Sequence, residues 1–169
     1  MALTASGSAT RRSPAWGAVV IAAIVAGLVF AAMEMMLVWL AMGQSPWAPL
    51  RMIAAIGMGR GVLPPPATFD LGIVTVAVLL HMLTSVVYAI ILAYILLAAK
   101  PGAAWWIGIA YGLALYVINF YGFTALFPWF AEARNWISIV SHAVYGLVLA
   151  LLYRARDPRD FSQPLADTR

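Results

Sequence analysis

The sequence predicts an all-α polytopic membrane protein, with four transmembrane helices and a short interfacial helix in the loop after the first. Three observations predict it. Of 169 residues, 64% are hydrophobic and 9% charged, against about 25% charged in an ordinary soluble domain. The mean hydropathy is +0.94. The apolar residues gather in four long runs, at 16–40, 71–99, 103–127 and 136–153. A helix crosses a bilayer in roughly 20 residues, far more than a barrel strand needs. This composition excludes a soluble enzyme, a disordered chain and a nucleic-acid partner. With no cysteine, disulfides, thiolate metal sites, iron–sulfur clusters and cysteine nucleophiles are excluded together.

Residues 1–15 read as a disordered tail of small polar residues carrying Arg11 and Arg12. The transmembrane domain covers 16–154, and 155–169 form a second tail. The first run is longer than a signal-peptide core and reads as a retained helix. In the connection 41–70, Ser45-Pro46 reads as a helix start and Gly57 as its stop. Trp47, Leu50, Ile53 and Ala54 share one face of this short helix, which suits a membrane interface. Pro64-Pro65-Pro66 reads as a stiff extended strut. The second run must tilt or protrude to fit the bilayer. Lys100-Pro101-Gly102 makes a tight turn, so the second and third spans are expected as a hairpin. Phe127-Pro128-Trp129-Phe130 reads as an aromatic belt at the membrane surface.

Placing both termini in the cytoplasm puts Arg11, Arg12, Lys100, Arg154, Arg156, Arg159 and Arg169 inside. Arg51, Arg60 and Arg134 are then outside. This agrees with the positive-inside bias, and the two longer, aromatic connections then face the periplasm or the exterior. Arg154, Arg156 and Arg159 read as an anchor for acidic lipid heads.

The polar residues inside the spans carry the functional signal. His81, Thr84, Ser85 and Tyr88 fall at offsets 0, 3, 4 and 7, as do Ser138, Ser141, His142 and Tyr145. Each set is one stripe on one helix face. Lipid offers such groups no partner, so both stripes should face the bundle interior. Gly108, Gly112, Tyr116 and Asn119 form a similar stripe on the third span, and Ala23, Gly27, Ala31 and Glu34 on the first. Small residues at this spacing let helices approach closely. Counted along the helices, Glu34, His81, Asn119 and His142 all lie in the outer half of the bilayer, ~9–15 Å from the outer helix ends. Their convergence would make one cluster near the outside. A lone carboxylate in hydrocarbon must be protonated, paired or hydrated, and histidine is a natural proton-exchanging partner.

Such a cluster admits several readings: a polar knot that fixes helix register, a proton-responsive or proton-conducting site, a substrate site, or a metal or haem b site. Glu34, His81 and His142 are the metal candidates, since two imidazoles and a carboxylate suit zinc, copper or iron. Two histidines on different helices could also hold one haem axially.

The segments His81-Met-Leu-Thr-Ser-Val-Val-Tyr88 and Ser138-Ile-Val-Ser-His142-Ala-Val-Tyr145-Gly resemble the histidine-bearing helices of YagU-like bacterial inner-membrane proteins. Those are small multi-helix proteins whose named member is linked to acid tolerance. The chain also resembles a group of short bacterial membrane proteins sharing Gly43-Gln-Ser-Pro-Trp47, Leu63-Pro-Pro-Pro-Ala-Thr-Phe-Asp70 and Pro128-Trp129 to Asn135-Trp136. Some of these carry a sodium:proline symporter label. The label implies transport, but symporters of that fold have many more helices, and four cannot build that site alone. The first likeness covers two helices and the second most of the chain; neither supplies a catalytic residue.

The expectation is therefore a non-enzymatic accessory or stress-related protein of the inner membrane, with no resident cofactor and a buried Glu/His/Asn cluster that responds to protons. The alternatives are a small transporter or channel acting as an oligomer, and a metal- or haem-binding subunit. The expected partners are the lipid bilayer, a second copy of the chain or a larger membrane complex.

Overall fold

Four long helices arise where no residue breaks them, and three of them begin or end on an identifiable cap. The computed structural model describes residues 13–157. Of the predicted tails at 1–15 and 155–169, residues 1–12 and 158–169, with Arg11, Arg12, Arg159 and Arg169, lie outside the described residues, and Ala155 and Arg156 belong to the last helix rather than to a tail. Helix α1 is Trp16–Met42. It closes on Gly43 at φ 64°, with Gly43 N–H bonding the Trp39 carbonyl and Gln44 N–H the Val38 carbonyl. This doubly bonded end needs a left-handed residue, which favours glycine. Helix α3, Leu71–Leu97, starts where the Asp70 carboxylate accepts from the Ile73 N–H at 2.9 Å. Helix α5, Trp136–Arg156, starts where the Asn135 side chain accepts from Ile137 and Ser138. Both caps satisfy otherwise orphaned first-turn donors. Helix α4, Ala104–Val117, continues as a π-helical turn over Ile118–Gly122 and a 3₁₀ turn over Phe123–Ala125. The spans Trp16–Met42, Leu71–Leu97, Ala104–Ala125 and Trp136–Arg156 are long and apolar enough to cross a membrane. No strand occurs among the described residues. The outer faces are apolar, with Leu28, Leu79, Leu83 and Trp106 exposed, as hydrocarbon surroundings require.

Helix α5 is central. It packs most extensively on α4 and next on α1, while α1 packs on α3. The bundle thus runs in the order α3, α1, α5, α4. The expected hairpin of spans two and three is corrected: the turn at Lys100 joins α3 and α4, but the two helices barely touch along their length. At this end the apolar core is small-residue rich, with Ala22, Ala23 and Ala26 of α1 against Leu92 and Leu96 of α3 and Leu149 and Ala150 of α5. Arg154 also acts here, donating to the carbonyls of Leu96 at 2.7 Å and Ala99 at 2.9 Å. It closes the end of α3, where the sequence suggested a lipid anchor.

The other end carries the connections. The short helix α2 is Ala48–Met58, not a helix opening at Pro46 and stopping at Gly57. Ser45 instead donates to the Ala67 carbonyl and accepts from the Trp47 N–H, which holds it in the loop. The stop is Gly59 at φ 81°. Leu50 and Ala54 bury against Ile73 and Ala77 of α3. The tri-proline segment bends at Pro64 and Pro65, with a cis Pro65–Pro66 bond, and is no extended strut. The Arg51 guanidinium draws its two flanks together by donating to the carbonyls of Val62 and Thr68. Trp129 does not sit in a surface belt. It is buried, and its indole N–H donates to the Met52 carbonyl at 3.0 Å, which fastens the last loop to α2.

The closest approach in the bundle is between α4 and α5. A Cβ on Gly112 would lie 2.0 Å from the His142 carbonyl oxygen, and one on Gly146 would lie 2.1 Å from that of Gly108. No side-chain adjustment relieves a clash with backbone, so the helices would have to separate. Gly112→Ala should therefore destabilise the bundle by ~3 kcal/mol or more, the upper range for overpacking. Gly57→Ala places its methyl in ordinary contact with Leu80 and Val76 and should be neutral or mildly stabilising. Equilibrium unfolding in mixed micelles checks both.

Candidate functional site

The intramembrane polar residues collect at the α2 end of the bundle, on two separate bonded sets. The first set crosses all four spans. Tyr88 Oη on α3 donates to Asn119 Oδ1 at 2.6 Å. Asn119 Nδ2, in the π-turn after α4, donates to His142 Nε2 at 3.2 Å. His142 Nδ1 on α5 donates to the Ser138 carbonyl at 2.7 Å. Ser138 Oγ donates to Glu34 Oε1 on α1 at 2.6 Å. Glu34, Ser138 and His142 are all buried, Glu34 at 7% exposure.

The proton positions follow from the partners. A carbonyl can only accept, so His142 Nδ1 carries hydrogen and, in the neutral ring, Nε2 is the acceptor. Asn119 must then present its NH₂ to His142, which leaves its carbonyl for Tyr88. The π-turn aims Asn119, and such turns disrupt regular helical bonding. Arg134 compensates: its Nε donates to the Phe120 carbonyl at 2.7 Å and its Nη2 to Thr124 Oγ1. Its guanidinium also lies 4.4 Å from the Tyr121 ring centroid.

The second set joins α3, α1 and α5. His81 Nε2 donates to the Gly27 carbonyl at 2.9 Å. Ser85 Oγ donates to the Ala23 carbonyl at 2.8 Å and lies 3.0 Å from Tyr145 Oη. These bonds exist because Gly27 is small; a Cβ there would meet Ser85 and Met82 within 3.2 Å. His81 thus lies outside the chain that contains Glu34, Asn119 and His142. Phe30 packs on both imidazoles, stacked on His81 at 5.5 Å and edge-on to His142 at 4.8 Å.

Two stripe members behave differently. Thr84 was expected inside but is exposed, its hydroxyl donated to the Leu80 carbonyl of its own helix. That internal bond lets a threonine face lipid. Ser141 is fully buried and its hydroxyl has no protein partner.

Two cavities flank the first set. A vestibule of about 600 Å³ lies between α1, α2 and the last loop, and Glu34, Arg51, Arg60, Trp129 and Glu132 line it. Glu34 Oε2 is buried without a protein partner. A groove of about 450 Å³ lies between the splayed α3 and α4, with Tyr88, Asn119, His81 and His142 among its lining. Phe30, Ile53, Phe120 and Phe130 line both cavities and separate them. The glutamate thus meets one cavity and the tyrosine the other.

The metal candidates Glu34, His81 and His142 are divided between the two bonded sets. Both nitrogens of His142 are engaged, one by a carbonyl and one by Asn119. Among the described residues no three His, Cys, Asp or Glu side chains are placed to hold a metal.

Sequence reasoning missed Phe30, Tyr111 and Arg134. Tyr111 donates to the Tyr88 carbonyl at 2.8 Å and, with Tyr88–Asn119, ties α3 to α4. Phe30 lies three residues from Gly27 and four from Glu34, so helical spacing alone places it on their face.

The hydrogen-bond partners predict opposite neutral tautomers for the two histidines, Nδ1–H for His142 and Nε2–H for His81. Imidazole ¹⁵N spectra of the histidine-labelled protein check this, with His81→Phe assigning the signals. Two Nε2–H rings would contradict the assignment.

No family model, curated protein or solved structure matches the chain.

Proposed function

We propose that the chain is a small non-enzymatic protein of a bacterial inner membrane, accessory or stress-related, that responds to protons through the Tyr88–Asn119–His142 set. In this reading both termini are cytoplasmic and the vestibule opens to the periplasm, as the distribution of Arg and Lys supports. Kinship with YagU-like proteins belongs to the same proposal.

The observation that carries it is the single acceptor available to Asn119. With His142 neutral, the amide gives N–H to the ring and takes the Tyr88 hydroxyl hydrogen. A proton on His142 Nε2 would face the amide NH₂, donor against donor. Rotating the amide by half a turn relieves this: Oδ1 accepts from His142, and Nδ2 donates to Tyr88. Tyr88 then no longer donates to Asn119, and its hydroxyl hydrogen is released toward the groove. One proton therefore reverses the direction of two bonds without moving a helix. Switches of this kind need only two arrangements of nearly equal energy.

Conduction is not part of this reading. Glu34 and His142 are joined through Ser138, whose hydroxyl serves one and whose carbonyl serves the other. A peptide carbonyl accepts a hydrogen bond but does not hand a proton on, so the link transmits position. Glu34 lines the vestibule with Arg51, Arg60 and Glu132, and its bond to Ser138 links that cavity to α5.

The test is a pH titration of protein carrying labelled tyrosine and histidine. The Tyr88 ring resonance should move with the same midpoint as His142 in the wild type and stop following it in Asn119→Leu. A Tyr88 signal that is indifferent to pH, or that still follows His142 in Asn119→Leu, would rule the switch out.

A further inference from the structure

The groove between α3 and α4 has the features of a ligand site entered from the bilayer. It lies between two membrane-crossing helices that barely touch. Leu83, Val87 and Phe123 on its rim are exposed. Whatever enters from this side dissolves in lipid. At about 450 Å³ the groove falls within the range of small-molecule sites. Its walls are largely aromatic, with Phe30, Phe120, Phe123, Phe127 and Phe130 among them. Rings favour flat rings, by offset or edge contact.

Its depth is polar in a specific way. His81 gives Nε2–H to Gly27, so the bare Nδ1 of the neutral ring is an acceptor with no protein partner. Asn119 gives one amide hydrogen to His142 and retains a second donor. Thr84 Oγ1, its hydrogen on Leu80, offers a further acceptor at the mouth. An acyl chain would cover these groups without bonding them, and unpaired polar groups in an apolar site cost about 1–3 kcal/mol each.

We propose that this groove binds the ring of a lipid-soluble quinol, with its apolar tail leaving between α3 and α4. A hydroxyl of the quinol donates to His81 Nδ1, and the oxygen across the ring accepts from Asn119. The inference is of binding alone, and no electron transfer is assigned. It goes beyond the proton-responsive reading and does not need it: binding is measured at one pH, whereas the switch is tested by its pH dependence, so either can fail alone.

The experiment uses the full chain in nanodiscs and measures retention of a radiolabelled decyl-benzoquinol above empty nanodiscs. Decylbenzene, which has the ring and tail but no oxygens, is the comparison. Saturable binding of one quinol per chain is expected, with decylbenzene at least about tenfold weaker, the worth of one or two lost bonds. His81→Phe should weaken the quinol by about tenfold and leave decylbenzene unchanged. Thr84→Trp fills the mouth from an exposed position whose hydroxyl serves only its own helix, so the fold is retained and both probes should be lost. Equal retention of the two probes by the wild type would make the groove an acyl-chain site and overturn the proposal. Wild-type quinol retention in Thr84→Trp would place the ligand elsewhere and overturn it equally.

Discussion

The contact of two backbones at Gly112 and Gly146 sets the rest of the molecule. It is possible only without side chains, because a Cβ on either glycine would meet main-chain atoms within about 2 Å of its position. Helix–helix association in lipid gains little from the hydrophobic effect and depends on such close packing. The contact fixes α5 against α4, and α5 in turn carries α1. It also fixes the site, because the oxygen facing Gly112 belongs to His142. The ring of that residue is then held where the π-turn presents Asn119. Packing energy and site geometry therefore share the same few residues.

Around this contact the polar groups obey one rule: each bond is made inside the chain or at a cavity. Carbonyls of Ala23, Gly27, Leu96 and Phe120 accept from side chains of other helices or loops. The bonds from Ser85 and His81 pin α3 to α1, and those from Tyr88 and Tyr111 tie it to α4 across the groove. The same scarcity of partners that makes these bonds stable makes them directional. Where an amide has one correct orientation, a change of one proton has a defined consequence.

Much of this was legible in the sequence. The four spans follow from run length and hydropathy. The polar residues at helical spacing mark the faces that meet, and the glycine stripe at 108 and 112 marks the close helix pair. Other features depend on tertiary partners that no local pattern encodes. Thr84 keeps the stripe's spacing yet faces out, because its own helix satisfies it. His81 matches His142 in type and in its stripe spacing but bonds Gly27 on the far side of Phe30. Trp129 reads as a surface aromatic until Met52 provides a carbonyl. The π-turn at Ile118 has no composition signal, and the splaying of α3 from α4 contradicts the short turn between them. Proximity in sequence constrained the ends of those helices and left their length free.

The claim on which the functional reading stands is that Asn119 couples Tyr88 on α3 to His142 on α5. The two residues make no hydrogen bond or ring contact with each other, so any coupling between them passes through their shared partner Asn119. A double-mutant cycle of Tyr88→Phe and His142→Phe, read by equilibrium unfolding in mixed micelles, measures the coupling. An interaction energy of at least ~0.5 kcal/mol is expected, since either substitution leaves the amide with one orientation to lose. Additivity within ~0.3 kcal/mol would show that the amide transmits nothing and would contradict the coupled network.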